Sequence, residues 1–332
     1  MDWQRLRKSP NIAIVGSTSL LGKELQEMLE NRSRPIGRLT LLETEEYAGL
    51  LQEFAGEIQI TQVISPNAFD DIDIAFFTCS PEIMQSYVAS GAKFPELTID
   101  LTQAGREGIV LLHGISAARV LKGPGYFVNP HPAAIVIGRL LSVLHNKFVV
   151  KSAAITVLQP ASERGNAGVD ELQEQTVSLL NFQEFEKKTF NAQLAFNILS
   201  EPEAAARTEA RVIEQLDEIL GKTFPKTVIT AVQAPVFHSY AFSMFLQLGE
   251  APAAEQVSAY LRSNPRFSTD APIGGPSPVS VVGTDKIHVG RVHRVNQDNT
   301  YALWVVADNL RLAASNAIET ADLIMLAQAL EA

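Results

Sequence analysis

The sequence predicts an α/β protein in two parts: a Rossmann-like, doubly wound domain, then an α+β domain built on a mixed sheet. Two observations carry this. Through the first half, apolar runs of strand length alternate with helical spacings, the pattern of parallel strands joined by crossovers. From residue 149 onward, long β-branched runs follow one another with few helices between, the pattern of a mixed or antiparallel sheet. The expected division is 1–127, completed by a C-terminal helix at 309–332, and 128–308.

The first element is an apolar run at 11–15 that ends in Gly16-Ser17-Thr18-Ser19-Leu20-Leu21-Gly22, followed by helical spacing over 23–31. Strand, glycine loop and helix together resemble a dinucleotide fingerprint, in which glycines let the backbone approach a pyrophosphate at a helix N-terminus. Only the outer two glycines are present, and a tight turn with no ligand accounts for the same residues. A second strand at 39–42 ends at Glu43, the separation at which an acidic residue grips a ribose diol. With Glu45 and Glu46 it would repel a 2′-phosphate, favouring NAD over NADP; a solvated acidic loop is the alternative.

Further strands are expected at 72–77 and 97–101, with a helix between them running to about residue 92. Cys79 lies at a strand end, where ligands cluster, but a lone thiol beside an apolar run also serves as a small buried hydrophobe. At 127–135 an apolar strand meets Asn129-Pro130-His131-Pro132 and a helix begins, with Pro132 suited to its first turn. Such a corner points orphan N–H groups at one spot. In the second half, strands are expected at 149–158, 227–232, 239–248, 279–283, 287–293 and 301–307, and a polar loop at 159–168. Helices are expected at 171–181, 209–220 and 308–330, the last capped by Asp308.

Composition bounds the function. A chain of 332 residues, 46% hydrophobic and 19% charged, holds two ordinary cores. A net charge of −10 argues against nucleic acid and anionic membranes as partners, and the basic cluster at 5–8 reads as a solvated tail. No apolar run approaches the ~20 residues of a membrane span. One cysteine excludes an internal disulfide, and the opening residues lack the apolar stretch of a secretory leader. Both point to the cytoplasm.

Several stretches resemble the aspartate-semialdehyde dehydrogenase family: 11–22, 128–135, Ala195-Phe196-Asn197, 227–236, Val289-Gly290-Arg291 and 304–311 with Asn316. The resemblance implies an NAD(P)-dependent oxidoreductase of amino-acid biosynthesis, with a dinucleotide domain and a catalytic and dimerisation domain; no metal is expected, since no third ligand at supporting spacing accompanies His131 and His238. In that family a cysteine attacks the acyl group, a histidine is the acid/base, and arginines hold carboxylate and phosphate. Aligned on flanking residues, the cysteine falls at Pro132, the histidine at Tyr240 behind Ser239, and an arginine at Gln233. Arg106 matches the phosphate-binding arginine, Gln159 a glutamine beside the reacting centre, and Asn316 a residue near the cofactor. Glu163-Arg164 stands where the family has Gly-Ala.

This pattern is similar to the Usg-type members of the family, through Pro160-Ala161-Ser162-Glu163-Arg164-Gly165 and Ala234-Pro235-Val236-Phe237-His238-Ser239-Tyr240. His131 and His238 stand beside the replaced positions, and residues two apart in a strand share a face, so His238 is expected to project with Tyr240. Two readings of the pocket follow: a remodelled small-anion site, or side chains that bond one another and fill it. Three functions remain open. The chain is a non-catalytic, dimeric nucleotide- or anion-binding protein, an oxidoreductase on a semialdehyde or acyl phosphate with a rebuilt site, or a partner subunit of an active homologue.

Overall fold

In the computed structural model, residues 9–65, 67–116, 125–270, 273–295 and 298–331 are described; the basic cluster at 5–8 lies outside them. The chain divides into two units, one reaching His131 and resuming at Ala313, the other Pro132–Leu312.

The first unit is built on β1 (Ile12–Val15), β2 (Leu39–Glu43), β3 (Leu51–Phe54), β4 (Glu57–Ile60), β5 (Gln62–Val63), β6 (Ile74–Phe77), β7 (Leu97–Asp100), β8 (Ile109–Val110) and β9 (Tyr126–Val128). Helix α1 (Leu20–Glu30) follows β1, and α2 (Pro81–Ala89) follows β6. Seven strands form one sheet in the order β5-β2-β1-β6-β7-β9-β8, every pair parallel. The central strands β1, β2, β6 and β7 are buried along their whole length, which is why they read as unbroken apolar runs. The order reverses direction between β1 and β6, and open α/β sheets take their ligands outside the strand ends at such a switch. Residues Ala314, Ala317, Ile318 and Ala321 pack in the same core as α1.

The connection from β2 to β6 departs from the alternating pattern. Between β2 and β6 the chain makes the hairpin β3–β4 and the edge strand β5 instead of a crossover helix. Its alternation is masked because Leu51, Ile58 and Ile60 are exposed while only Phe54 reaches the core.

The second unit carries α3 (Pro132–Phe148), β10 (Val150–Gln159), α4 (Gly165–Leu180), α5 (Pro202–Leu220), β11 (Thr227–Gln233), β12 (Tyr240–Leu248), α6 (Ala254–Arg262), β13 (Phe267–Ser268), β14 (Ile287–Val295) and β15 (Thr300–Ala307). The final helix, α7 (Asn309–Glu331), starts here. Asp308 caps it, its Oδ1 accepting the N–H groups of Leu310 and Arg311 at 3.0 Å each. The sheet order is β11-β10-β12-β15-β14-β13, with parallel outer pairs and antiparallel inner ones. Ile155, Ile229, Met244 and Leu303 share a core with Ile137, Leu141 and Val212 of α3 and α5. Across the same strands Val228 pairs with Ala154 and Ala154 with Phe245, and all three stay exposed. Over these three strands that part of the sheet face is thus open.

Two expectations for this unit fail. The stretch at 279–283 is a chain of turns, not a strand: Ser280 N–H bonds to Ser277 O, and Thr284 N–H to Val281 O. Only Val281 is buried there, beside Ala241 and Val306, while Val279 and Val282 face solvent. The expected polar loop at 159–168 is instead a 3₁₀ turn (Ala161–Arg164) running straight into α4. Glycine is required at 168 despite its entropic cost in a helix, because a Cβ there would stand 2.2 Å from Ala161 O.

Candidate functional site

In the first unit the loop after β1 closes on two glycines. Gly16 has φ +86°, and a Cβ on it would lie 2.4 Å from the Cys79 nitrogen; one on Gly22 would lie 2.3 Å from Gly16 O. Ser19 caps α1 by accepting the Gly22 N–H at 2.9 Å, and Leu20 and Leu21 open the helix. The carboxylate of Glu43, 4% exposed, turns back onto this loop. Its Oε1 accepts the Thr18 N–H at 2.6 Å and the Ser17 hydroxyl at 3.3 Å, and Gln52 of β3 donates to Ser17 Oγ at 3.0 Å.

Cys79 lies where the glycine loop meets the end of β6. Burial, then the charge of Asp100, push its thiol up to about 12, so it is a neutral, packed group at physiological pH. Asp100 itself is fully buried at the end of β7, accepting Thr102 N–H and hydroxyl at 2.7 Å and the Tyr126 hydroxyl at 2.8 Å. The Arg106 guanidinium rests over the rings of Tyr126 (4.6 Å) and Phe94 (5.1 Å). His131 is buried at the end of this unit, after Asn129.

Asn316 is enclosed. Its amide donates to Leu111 O (3.0 Å) and Asn129 Oδ1 (2.8 Å), and its oxygen accepts the His113 N–H (3.0 Å). All three bonds stay inside the first unit, so they tie α7 to the loop after β8 and to the corner after β9.

In the second unit Gln159, Glu163 and Arg164 gather around the Tyr240 phenol. Pro132 is the first residue of α3, as its missing N–H allows. Tyr240 opens β12 fully buried, and its hydroxyl donates to Glu163 Oε2 at 2.5 Å. Gln159 also bonds to it, and Arg164 beside Glu163 pairs with Glu201 at 3.2 Å. Burial first, and the Glu163 carboxylate second, raise the phenol well above its ordinary range. Gln233, at the end of β11, donates to Gln159 O at 2.9 Å and bridges Leu199 through its backbone. These side chains satisfy one another.

His238 does not share a strand face with Tyr240. β12 begins at Tyr240, and Ser239 has φ +73°, a left-handed turn that breaks the two-residue alternation. That conformation favours glycine, and the Ser239 hydroxyl is buried without a partner among the described residues. Ser239→Gly is therefore expected to stabilise the protein by about 1–2 kcal/mol, since both the strain and the orphan hydroxyl disappear. Urea unfolding measures it.

Residues with no chemical signature hold this cluster in place. Asn309 Oδ1 accepts the Ser239 N–H at 2.9 Å and its amide donates to Ser162 Oγ at 3.1 Å, fixing the turns that carry Tyr240 and Glu163. Asp308 Oδ2 takes the Gly283 N–H at 2.8 Å. Nothing in an Asp-Asn pair at a helix start announces more than a cap. Among the described residues no group of three or more metal-ligating side chains is found, and no helix is long and apolar enough to cross a membrane.

Comparison with known proteins adds names to both units. Residues 11–111 match the semialdehyde dehydrogenase NAD binding domain, and 141–312 match the semialdehyde dehydrogenase dimerisation domain. A Rickettsia conorii protein named aspartate-semialdehyde dehydrogenase is 30% identical over 96% of this chain and 98% of its own. A USG-1 protein homolog from Azotobacter vinelandii is 29% identical over 95% and 97%. The crystal structure of aspartate semialdehyde dehydrogenase II from Vibrio cholerae, complexed with ASA, superposes with a TM-score of 0.87 at 26% identity, covering 96% of this chain and 99% of that one.

Proposed function

The chain belongs to the semialdehyde dehydrogenase family, and from that premise we propose that it is a dimeric, nucleotide-binding member that no longer carries out the family's acyl chemistry. The observation that carries this is the Tyr240–Glu163 pair, set in the place where the resemblance puts an acid/base histidine and a glycine. A general base must accept a proton near neutral pH. A phenol raised well above its ordinary range, already donating to a carboxylate, accepts none. At the nucleophile's place Pro132 offers neither a thiol nor a hydroxyl.

The open part of the second sheet's face supports the homodimer. Val228, Ala154 and Phe245 form an exposed row across β11, β10 and β12, in the unit that matches the family's dimerisation domain. The first unit supports the nucleotide: a glycine loop stands at the switch between β1 and β6, inside the segment that matches the NAD binding domain.

Two measurements on the pure protein test this reading. NAD at millimolar concentration is expected to raise the melting temperature by a few degrees, because a ligand of the folded state stabilises it by mass action. Intact mass after incubation with an aspartyl acyl phosphate is expected to stay at that of the bare chain. A covalent acyl adduct would overturn the non-catalytic reading, and no thermal shift with NAD would overturn the nucleotide reading.

A further inference from the structure

In the second unit the end of α3, the segment 249–252 and α6 line a cleft of about 670 Å³. It lies apart from the candidate site: Pro132 begins α3 there, while Lys147 and Phe148 line the cleft a helix length of roughly 25 Å away. Its apolar part is Phe148 and Tyr260, whose rings meet edge to face at 5.5 Å, together with Pro252 and Ala259. Its walls are held. Gly249 N–H donates to Val149 O at 2.7 Å, and Pro252 O accepts the Tyr301 hydroxyl at 2.5 Å. Its polar part is uncommitted. The Lys147 ammonium, the Glu250 carboxylate and the Tyr260 hydroxyl bond to nothing among the described residues, and Gln256 uses only Oε1, on the Ala253 N–H at 2.9 Å. Lys147 and Glu250 thus bring opposite charges to one cleft without pairing with each other.

We propose that this cleft binds a free α-amino acid with an apolar side chain: its carboxylate on Lys147 and the Gln256 amide, its ammonium on Glu250, its side chain on the Phe148–Tyr260 pair. A single exposed charge contact contributes little, because water competes for both partners. Here two contacts of opposite sign flank an apolar surface, and only a ligand with all three features uses the cleft fully. A dicarboxylate would set a like charge against Glu250, and a diamine one against Lys147. The volume suits such a ligand, since small-molecule pockets run to about 300–1,000 Å³ and are mostly apolar with a few placed polar groups. None of these residues belongs to the first unit, so the inference stands apart from the nucleotide reading.

The experiment is calorimetric titration of the full chain with L-phenylalanine, N-acetyl-L-phenylalanine, L-phenylalaninamide and glycine at fixed ionic strength. L-Phenylalanine is expected to bind with a Kd below about 10 mM, and each of the other three at least about fivefold more weakly, since each lacks one of the three features. Glu250→Lys is expected to invert one preference, so that N-acetyl-L-phenylalanine, which has no ammonium, binds better than L-phenylalanine. Lys147→Glu is expected to invert the other, in favour of L-phenylalaninamide. Both side chains are exposed, so neither exchange disturbs the core. No heat with L-phenylalanine, or equal binding of all four probes, overturns the proposal. Binding whose preferences stay unchanged in both variants overturns it as well, because the amino acid then sits elsewhere on the protein.

Discussion

Pro132→Cys alone is expected to leave the protein without measurable turnover of aspartate semialdehyde. Pro132→Cys/Glu163→Gly/Tyr240→His together are expected to lift turnover above background. A cysteine at the first residue of α3 gains a thiol whose pKa the helix N-terminus lowers. That thiol still has no base, because Tyr240 is buried, protonated and bonded to Glu163. Groups that act as a catalytic unit are non-additive, so restoring one member recovers little. A positioned acid/base contributes roughly 10²–10⁴-fold, and the triple variant should exceed the single one by about that factor. Equal activity in the two variants would mean that the Tyr240–Glu163 pair is no obstacle to the chemistry. Steady-state assays of the reduced nicotinamide at 340 nm read the difference, provided circular dichroism finds both variants folded.

Glu171→Ala is expected to cost the protein about 3–5 kcal/mol. Glu171 lies in α4 and is 6% exposed. Its carboxylate accepts the backbone N–H groups of Lys188 (3.0 Å), Thr189 and Phe190 (3.4 Å), and the Gln175 amide (3.0 Å). Gln175 in turn accepts the N–H groups of Leu194 and Ala195 at 2.7 and 3.0 Å. Two side chains one helical turn apart thus hold the segment after α4, and each buried donor left without an acceptor costs roughly 1–3 kcal/mol. Phe190, Leu194 and Ala195 pack on Ala161, which begins the turn carrying Glu163. Loss of the clamp therefore reaches the Tyr240 pair. Glu171→Gln keeps one acceptor and should lose about half as much. Urea unfolding of the three proteins decides it, and a change under about 0.5 kcal/mol in Glu171→Ala would refute the clamp.

Much of the fold is legible because buried parallel strands leave no polar alternation to confuse. β1, β2, β6 and β7 read directly as apolar runs, and Pro132 and Asp308 mark helix starts by local chemistry alone. Reading fails where a local signal is outvoted by contacts distant in the chain. The residues at 279–283 alternate like a strand, yet only Val281 finds a core, and paired serines close turns instead. Gly165 and Gly168 look like loop residues, but Gly165 supplies a positive φ of +64° at the start of α4 and the close approach of Ala161 O leaves room only for glycine at 168.

The candidate site divides the same way. Alignment on the flanking residues is what proposes replacements at 132, 233 and 240, because a motif survives around them. What the replacements do is not visible. Glu163 and Tyr240 are 77 residues apart in sequence and meet only when the turn after β10 and the start of β12 come together. The bonds from the Asn316 side chain to Leu111, His113 and Asn129 are likewise invisible in sequence, since their partners lie 187 to 205 residues away. His238 reads as a face-mate of Tyr240 only if the strand starts two residues early, and the left-handed backbone at Ser239 prevents that.

The measurement that bears most directly on a family fold without the family's chemistry is turnover by the unaltered protein. Aspartate semialdehyde, inorganic phosphate and either NAD or NADP are supplied at millimolar concentration, and formation of reduced nicotinamide is followed for hours. The expected rate is indistinguishable from that of a protein-free control, with or without added thiol. A steady rate that scales with protein concentration and survives removal of trace homologue by a second purification would contradict it, and would mean that Gln159, Glu163 and Tyr240 form a working site rather than a filled one.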